Sequence, residues 1–142
     1  MDVQRAAGLK ARLRDSGLRA TGPRAEVLAV LEDLGGHRTA EEIYDTLAAR
    51  DAGVPRPSVY NVLTMLSEAG LVLKADAGPG VVLYEAGGRW HHHFACRNCG
   101  RVFDVECVVG DRPCLTAGTS VGVVEEAQVI FRGICTDCAA RL

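Results

Sequence analysis

The sequence predicts an α+β fold with two parts: an N-terminal winged helix-turn-helix domain and a small C-terminal α/β domain built around a four-cysteine zinc site. Three observations support this prediction. Four segments of the first half place apolar residues at helical spacing, and two β-rich runs follow them. Two Cys-x-x-Cys pairs in the second half offer four soft ligands to one tetrahedral zinc ion. We expect the domains at residues 1–86 and 91–142, with a hinge at residues 87–90.

The first two helices are predicted at residues 3–15 and from Pro23 onward. Ala6, Leu9 and Leu13 recur at helical spacing, and Gly17 ends the first helix. Pro23 suits a first helical turn, where its missing N–H needs no partner. The apolar positions of the second helix are Val27, Leu28, Leu31 and Leu34, before Gly35-Gly36.

A capping box predicts the third helix, with Thr39 as N-cap and Glu42 reaching back to it. The fourth helix should begin near Arg56-Pro57 and run to Gly70. Its inner positions are Val59, Val62, Leu63 and Leu66, and its outward positions are Ser58, Tyr60, Asn61, Thr64 and Ser67. Two helices joined by a short turn, the second with hydrogen-bonding side chains outward, are typical of a helix-turn-helix.

Two β-rich runs at residues 71–75 and 81–85 predict a hairpin, connected by residues 76–80. Three helices and a hairpin make a winged helix, which favours DNA binding. The alternative is an ordinary small helical domain with a solvated polar face. Residues 102–107 and 129–134 are further strand candidates. A domain of this size rarely buries enough apolar surface alone, so zinc and a dimer partner are expected to stabilise it.

The four zinc-ligand candidates are Cys96, Cys99, Cys135 and Cys138. Their doubled two-residue spacing, and the tight turn that Gly100 permits, favour a zinc knuckle over two disulfides or buried free thiols. His91 and His93 share one face of an extended segment, whereas His92 and Cys96 lie on the other. The histidine pair is therefore expected to form a second metal site. The alternatives are surface imidazoles or the remnant of an expression tag.

Charge and composition narrow the function. The formal net charge is -2 over 142 residues, so overall charge does not indicate nucleic-acid binding. Residues 1–24, however, carry six basic and two acidic side chains, which gives +4 (6 minus 2). We find neither a secretion signal nor a run of about 20 apolar residues, so we expect a cytoplasmic protein without a membrane partner. Reduced thiols in that compartment again favour metal binding.

As an ordered set, these motifs resemble the ferric uptake regulator (Fur) superfamily over nearly the whole chain. The matching pieces are Arg19-Ala20-Thr21-Gly22-Pro23-Arg24, Val59-Tyr60-Asn61-Val62-Leu63, Gly70-Leu71-Val72, His91-His92-His93 and both Cys-x-x-Cys pairs. Residues 104–116 resemble most closely the FurA/CatR-type, peroxide-responsive (PerR-like) branch. Asn61 agrees with that branch, because many iron-sensing relatives carry arginine there.

The resemblance implies a homodimeric, metal-dependent repressor that binds a double-stranded DNA operator and is not an enzyme. Its targets would be catalase-peroxidase or oxidative-stress genes; the alternative within the family is an iron- or zinc-uptake regulator. The implied DNA-contacting residues are Arg19, Arg56, Ser58, Tyr60, Asn61 and Thr64. The implied regulatory ligands are His37, Glu85, His91, His93 and Asp104. That nitrogen and oxygen set suits Fe(2+) or Mn(2+), with Zn(2+) possible in vitro, whereas the four cysteines hold structural Zn(2+).

Several alternatives are compatible with the sequence. Cys107 and Cys114 are either a redox pair or buried apolar side chains. His92 and Glu106 could hold a weak third ion. A zinc hydrolase lacks a convincing general base or nucleophile beside its histidines, and no small-molecule substrate is expected. A zinc-storage or interaction module would need no recognition helix. Peroxide sensing could proceed through an iron-bound histidine or through cysteine thiols.

Overall fold

The computed structural model describes residues 1–78, 80–87, 91–106, 122–123 and 129–142, and for His91 only the backbone. The chain divides into two compact units, Met1–Gly88 and Arg89–Leu142. Cys107 and Cys114, together with residues 88–90 of the predicted hinge, lie outside the described residues. The role of that hinge stays a prediction. Within the described part of the chain, none of the helices has the length and apolar character needed to span a bilayer.

The first unit contains four helices followed by a two-stranded sheet. The elements are α1 (Val3–Asp15), α2 (Gly22–Leu34), α3 (Ala40–Ala49), α4 (Arg56–Glu68), β1 (Val72–Gly78) and β2 (Val81–Ala86). Each predicted helix is present. Side-chain caps begin the first three helices: Asp2 accepts from the Arg5 N–H at 2.7 Å, and Thr21 accepts from the N–H of Arg24. The predicted Thr39 capping box is formed in both directions.

The apolar stripes of the four helices meet in one core. The largest of its fully buried side chains are Leu13, Leu28, Leu31, Ile43, Leu47, Leu63 and Leu66. Burying such a side chain stabilises the folded state by about 1.5–3 kcal/mol. The inner face of α4 is the predicted one, since Val59, Val62, Leu63 and Leu66 are all buried. The core therefore fixes which face of α4 is left for solvent.

The wing is the antiparallel pair of β1 and β2. The prediction placed residues 76–78 in the connection, but they continue β1, with a register irregularity between Asp76 and Gly78. An additional backbone bridge joins the segment before α3 to β2. Arg38 and Tyr84 exchange two N–H···O bonds, at 2.8 and 2.7 Å. This bridge ties the sheet to the helices and brings the neighbours of both residues together.

The second unit is built around a three-stranded sheet. Its elements are β3 (His91–Cys96), β4 (Val102–Glu106), β5 (Ile130–Gly133) and a short helix, α5 (Thr136–Ala139). The strand order is β4-β3-β5, with β4 antiparallel and β5 parallel to the central β3. All three strands coincide with predicted extended segments, whereas α5 was not predicted. Strand β3 ends at Cys96, and α5 begins directly after Cys135.

Candidate metal centres and nucleic-acid interface

The four predicted zinc ligands lie together in the second unit. Cys96 ends β3, Cys99 lies in the turn after it, and the other two flank the start of α5. All four Sγ atoms are within 4.8 Å of one another, and those of Cys99 and Cys135 are 3.9 Å apart. Zinc–sulfur bonds of about 2.3 Å in a tetrahedron require sulfur separations of about 3.8 Å. All four cysteines are free thiols, so the donor set and its spacing fit one zinc ion.

The backbone around Cys96 is arranged for a thiolate. The N–H groups of Cys99 and Cys135 donate to its Sγ at 3.5 and 3.3 Å and lower the pKa of Cys96 to about 6. Gly100 has a φ of +78°, a conformation that a side chain disfavours, and its N–H closes the turn onto the Cys96 carbonyl at 2.9 Å. Because thiolates are the form that binds metal, the knuckle is preorganised for an ion.

Cys138 behaves differently from Cys96. The Asn98 side chain favours its thiolate, but contact with Cys135, desolvation and the remaining thiols together raise the pKa of Cys138 to about 11. Without a cation, several thiolates cannot share so small a volume. A divalent ion supplies the missing positive charge and displaces the thiol protons. The chemistry of the cluster therefore also favours a bound metal.

Arg101 is a functional candidate that the sequence reasoning missed. Its Nε donates to the Cys99 Sγ at 3.3 Å, and its Nη2 donates to the Cys135 Sγ at 3.4 Å. Nη2 also lies 3.1 Å from an Asp137 carboxylate oxygen. Arg101 thus spans both Cys-x-x-Cys pairs and places a positive charge beside sulfurs that are negative when metal is bound. Two of these contacts join residues more than 30 positions apart, so no local spacing pattern announces them.

In the first unit, the structure brings together His37 and Glu85. The Arg38–Tyr84 bridge is antiparallel, so the residue before Arg38 lies beside the residue after Tyr84. The His37 Nε2 is accordingly 3.4 Å from a Glu85 carboxylate oxygen, with side chains 10% and 17% exposed. An imidazole and a carboxylate at this separation are a nitrogen and oxygen donor pair of the kind that first-row divalent metals accept.

The second unit contains a matching pair on β3 and β4. His93 is directly opposite Asp104 in the antiparallel register, and its Nε2 is 4.0 Å from an Asp104 oxygen. The His93 side chain is 9% exposed and that of Asp104 is 51% exposed. His91 is opposite Glu106, but the His91 side chain lies outside the described residues. Four of the five predicted regulatory ligands thus form one donor pair in each unit.

The possible third site receives no support from the strand register. His92 is opposite Val105 rather than Glu106. The His92 side chain is buried, and its ring meets Phe131 edge-on with centroids 6.4 Å apart. Alternation along β3 places it on the face opposite His93. His92 is therefore packed with an aromatic side chain in this structure.

The outward face of α4 carries the predicted DNA-contacting side chains. Tyr60, Asn61 and Thr64 are exposed, Ser58 is half-buried, and Arg19 is exposed before α2. Tyr60 and Arg56 both contact Glu41 of α3. Glu41 is a second residue that sequence reasoning missed. Arg56 and Tyr60 therefore each have a partner within the protein itself.

Part of the basic N-terminal segment is occupied within the first unit. The Arg5 guanidinium lies 2.8 Å from an Asp33 oxygen, and Arg12 pairs with Glu32. The contact with Arg5 is the main reason that the pKa of Asp33 is lowered. The +4 charge of residues 1–24 consequently overstates the positive surface that this segment offers to DNA, because acidic residues of α2 neutralise part of it.

Comparison with known proteins identifies relatives that match most of the chain. Residues 15–111 match the model of the Ferric uptake regulator family. The chain is 44% identical over 131 residues to "Transcriptional regulator FurA" of Mycobacterium tuberculosis, covering 89% of this chain and 87% of that protein. It is 38% identical over 121 residues to "Ferric uptake regulation protein 1" of Mycolicibacterium fortuitum, covering 84% and 74%.

Solved structures share the fold. The Vibrio cholerae ferric uptake regulator has a TM-score of 0.65 at 28% identity and covers 88% of this chain and 98% of its own. The Pseudomonas aeruginosa ferric uptake regulator, solved with manganese, has a TM-score of 0.71 at 24% identity and covers 89% and 96%. The second likeness, at lower identity, concerns the fold alone.

Proposed function

The chain belongs to the ferric uptake regulator family and is a metal-responsive transcriptional regulator, and we propose that it is a dimeric repressor that leaves its DNA operator on exposure to peroxide. The observation that carries the proposal is a winged helix with an exposed polar recognition face in the same chain as two chemically different donor sets. In the proposed regulator, one metal stabilises the fold and the other makes DNA affinity depend on exposure to peroxide.

We assign the structural metal to the four cysteines. Zn(2+) is the ion that a tetrahedral all-thiolate set favours, and a closed four-coordinate site leaves no position for a substrate. Cys96, Cys135 and Cys138 are buried, which supports a role in folding. This zinc holds the small second unit together in the proposed scheme, and no chemistry passes through it.

We assign the regulatory metal, Fe(2+) or Mn(2+), to His37, Glu85, His91, His93 and Asp104. The donor pairs within each unit support the assignment, and the family resemblance supplies His91. Because these ligands come from both units, metal binding and DNA binding are linked in the proposal. The metal ion then raises the affinity for DNA, and DNA raises the affinity for the metal ion, by the same factor, typically about 5- to 150-fold.

Peroxide acts in this scheme on the imidazoles. Fe(2+), when bound, would supply the redox chemistry that cleaves the peroxide O–O bond: it would give one electron to the peroxide and regain one from the oxidised imidazole. One of His37, His91 and His93 gains an oxygen atom, and the second peroxide oxygen leaves as water. The oxidised ring loses a donor nitrogen, so metal affinity falls and DNA affinity falls with it. Asn61 and the resemblance of residues 104–116 to the peroxide-responsive branch support this choice.

One experiment tests the proposal on a single sample. Protein loaded with Fe(2+) or with Mn(2+) is assayed for operator binding before and after low peroxide, and its peptides are then weighed. We expect the iron-loaded protein alone to lose DNA binding and to gain about 16 Da on a peptide containing His37, His91 or His93. Fragmentation of the peptides should place no oxygen on His92, because its side chain packs against Phe131. His92 therefore serves as an internal control.

Three outcomes would change the assignment. If the manganese-loaded protein loses DNA binding at low peroxide, and Cys107→Ser abolishes the loss, sensing proceeds by a disulfide with the loss of two hydrogens. If peroxide has no effect while Fe(2+) or Zn(2+) sets operator affinity, the protein is an iron- or zinc-uptake regulator. A protein that binds no DNA at any metal loading would be a zinc-storage or interaction module instead.

A further inference from the structure

Glu41 connects α3 to two side chains at the start of the recognition helix α4. The Tyr60 hydroxyl donates to Glu41 Oε1 at 3.0 Å, and the Arg56 guanidinium pairs with Glu41 Oε2. The same guanidinium lies over the Tyr44 ring, 4.4 Å from its centroid. Both carboxylate oxygens are therefore occupied by groups of α4, and Arg56 is held on an aromatic surface of α3.

This contact is not required to begin α3. Thr39 and Glu42 form the capping box, and Glu41 takes no part in it. A negative charge in the first turn of a helix is favourable, but this effect would be the same without Arg56 and Tyr60. Arg56, and then Tyr60, lower the pKa of Glu41, so the carboxylate is ionised at neutral pH. Glu41 therefore differs from the capping residues of α3 in that its carboxylate contacts side chains of α4.

Its partners are two of the residues that we propose to contact DNA. A guanidinium and a phenol hydroxyl are donors of the kind that phosphate oxygens accept in protein–DNA complexes. Arg56 and Tyr60 are about half exposed, at 52% and 43%, so a phosphate can reach them without disturbing the core. A phosphate that approaches them must, however, share them with a carboxylate of its own charge.

We propose that Glu41 is a positioning residue that holds Arg56 and Tyr60 against α3 in the free protein and so lowers the electrostatic part of DNA affinity. The inference rests on the proposed DNA-binding function. Exposed ion pairs are weak, so DNA displaces or shares this contact rather than being blocked by it. Binding to non-operator DNA is almost entirely electrostatic and bears the full cost, whereas operator binding also gains from base contacts. Glu41 therefore raises the preference for the operator.

The test compares Glu41→Gln with wild type in the full-length, metal-loaded protein. Asp45→Asn is the matched control, since Asp45 lies one turn further along α3, is exposed and loses the same charge. Affinities for an operator duplex and a random duplex are measured by fluorescence anisotropy over a range of salt concentrations. We expect Glu41→Gln to bind random DNA about two- to fivefold more tightly per protomer, with a smaller gain on the operator. Its salt dependence should be steeper by up to about one counterion.

Two further measurements connect the effect to the contact itself. In an Arg56→Ala background, Glu41→Gln should give little or no gain, because the side chain that it releases is absent. In a tyrosinate absorbance titration, Glu41→Gln should lower the pKa of Tyr60 towards its ordinary value, since the bond to Glu41 is the main cause of its upward shift. Unchanged thermal unfolding would show that the fold is intact.

Several outcomes would overturn the inference. One is a Glu41→Gln protein that binds random DNA no more tightly than wild type. Another is an equal gain from Asp45→Asn, which would make the effect one of general charge. A gain that persists in full in the Arg56→Ala background would reject the route through Arg56. Wild-type protein that binds no DNA at any metal loading would reject the inference together with the proposed function, and this result is separate from the others.

Discussion

Replacing Cys96 with serine should remove the structural metal and unfold the second unit while leaving the first unit folded. The Cys96 side chain is buried, and its sulfur accepts hydrogen bonds from two backbone N–H groups, one in each Cys-x-x-Cys pair. Serine has a harder oxygen donor that zinc accepts poorly beside thiolates. The substitution therefore disrupts the tetrahedron and both turns that converge on its sulfur.

The size of the effect follows from what else holds the unit together. Among its described residues, the buried cluster consists of Cys96, Cys135 and Cys138, with Phe94 and Ile134 packed against it. Two apolar side chains contribute at most about 6 kcal/mol, at up to about 3 kcal/mol each. A structural zinc ion contributes about 10–16 kcal/mol at neutral pH. Domains of this size rarely hold more than about 3–5 kcal/mol of net stability, so loss of zinc exceeds the margin.

The assay measures zinc content after denaturation, thermal unfolding by circular dichroism and the mass of the native assembly. Cys107→Ser and Cys114→Ser are matched controls, because the same substitution is made outside the proposed ligand set. We expect the controls to keep zinc, and Cys96→Ser to lose it along with the proposed dimer, while the helical signal of the first unit remains. A zinc-free Cys96→Ser protein with an intact dimer and unchanged unfolding would refute this reasoning.

Three further predictions concern individual side chains. Leu63→Ala should lower the free energy of unfolding of the first unit by about 2–5 kcal/mol in urea titrations, because Leu63 is fully buried; exposed Thr64→Ala should change it by less than about 0.5 kcal/mol. Burial raises the pKa of Tyr84. The stability that the neutral phenol provides is therefore complete below about pH 10, and it is lost as the pH rises through the pKa of Tyr84 in the folded protein. Tyr84→Phe should reduce this loss of stability at alkaline pH. Arg101→Gln should lower the affinity for zinc, measured by competition with a chelator, by about 10- to 100-fold. An unchanged affinity would exclude a role for Arg101 in stabilising the cluster.

The helices could be predicted closely because their signals are local. Apolar spacing and the Thr39 capping box concern residues within one or two turns, and α1 to α4 begin within one residue of where these signals place them. The hairpin was predicted with β1 too short, because the Asp-Ala-Gly sequence at 76–78 is typical of a turn. Its Asp76 side chain accepts from the Gly78 N–H at 3.3 Å while the segment remains paired with β2. The four-residue α5 is too short to show a helical period.

The parts of the sites that escaped prediction depend on contacts between distant residues. Periodicity indicates that Tyr60 faces outward but not that it meets Glu41, 19 positions earlier. In the same way, spacing groups the cysteines into pairs, whereas the position of Arg101 beside both pairs depends on how the chain returns to β3 through β5. Patterns predict which ligands are present, and tertiary packing decides which charged neighbours tune them.

The two proposed metal sites differ in ways that suit separate roles. Three of the four cysteines are buried, and a complete thiolate tetrahedron offers no open position to an oxidant. The nitrogen and oxygen donors bind first-row metals with lower selectivity, and the Asp104 carboxylate is half exposed. A ligand stabilises the state it binds according to the ratio of its concentration to its dissociation constant, so an ion held weakly responds to cellular supply, whereas one held tightly does not. In the proposed regulator, loss of the weakly held regulatory ion therefore changes DNA affinity while the zinc-bound second unit stays folded.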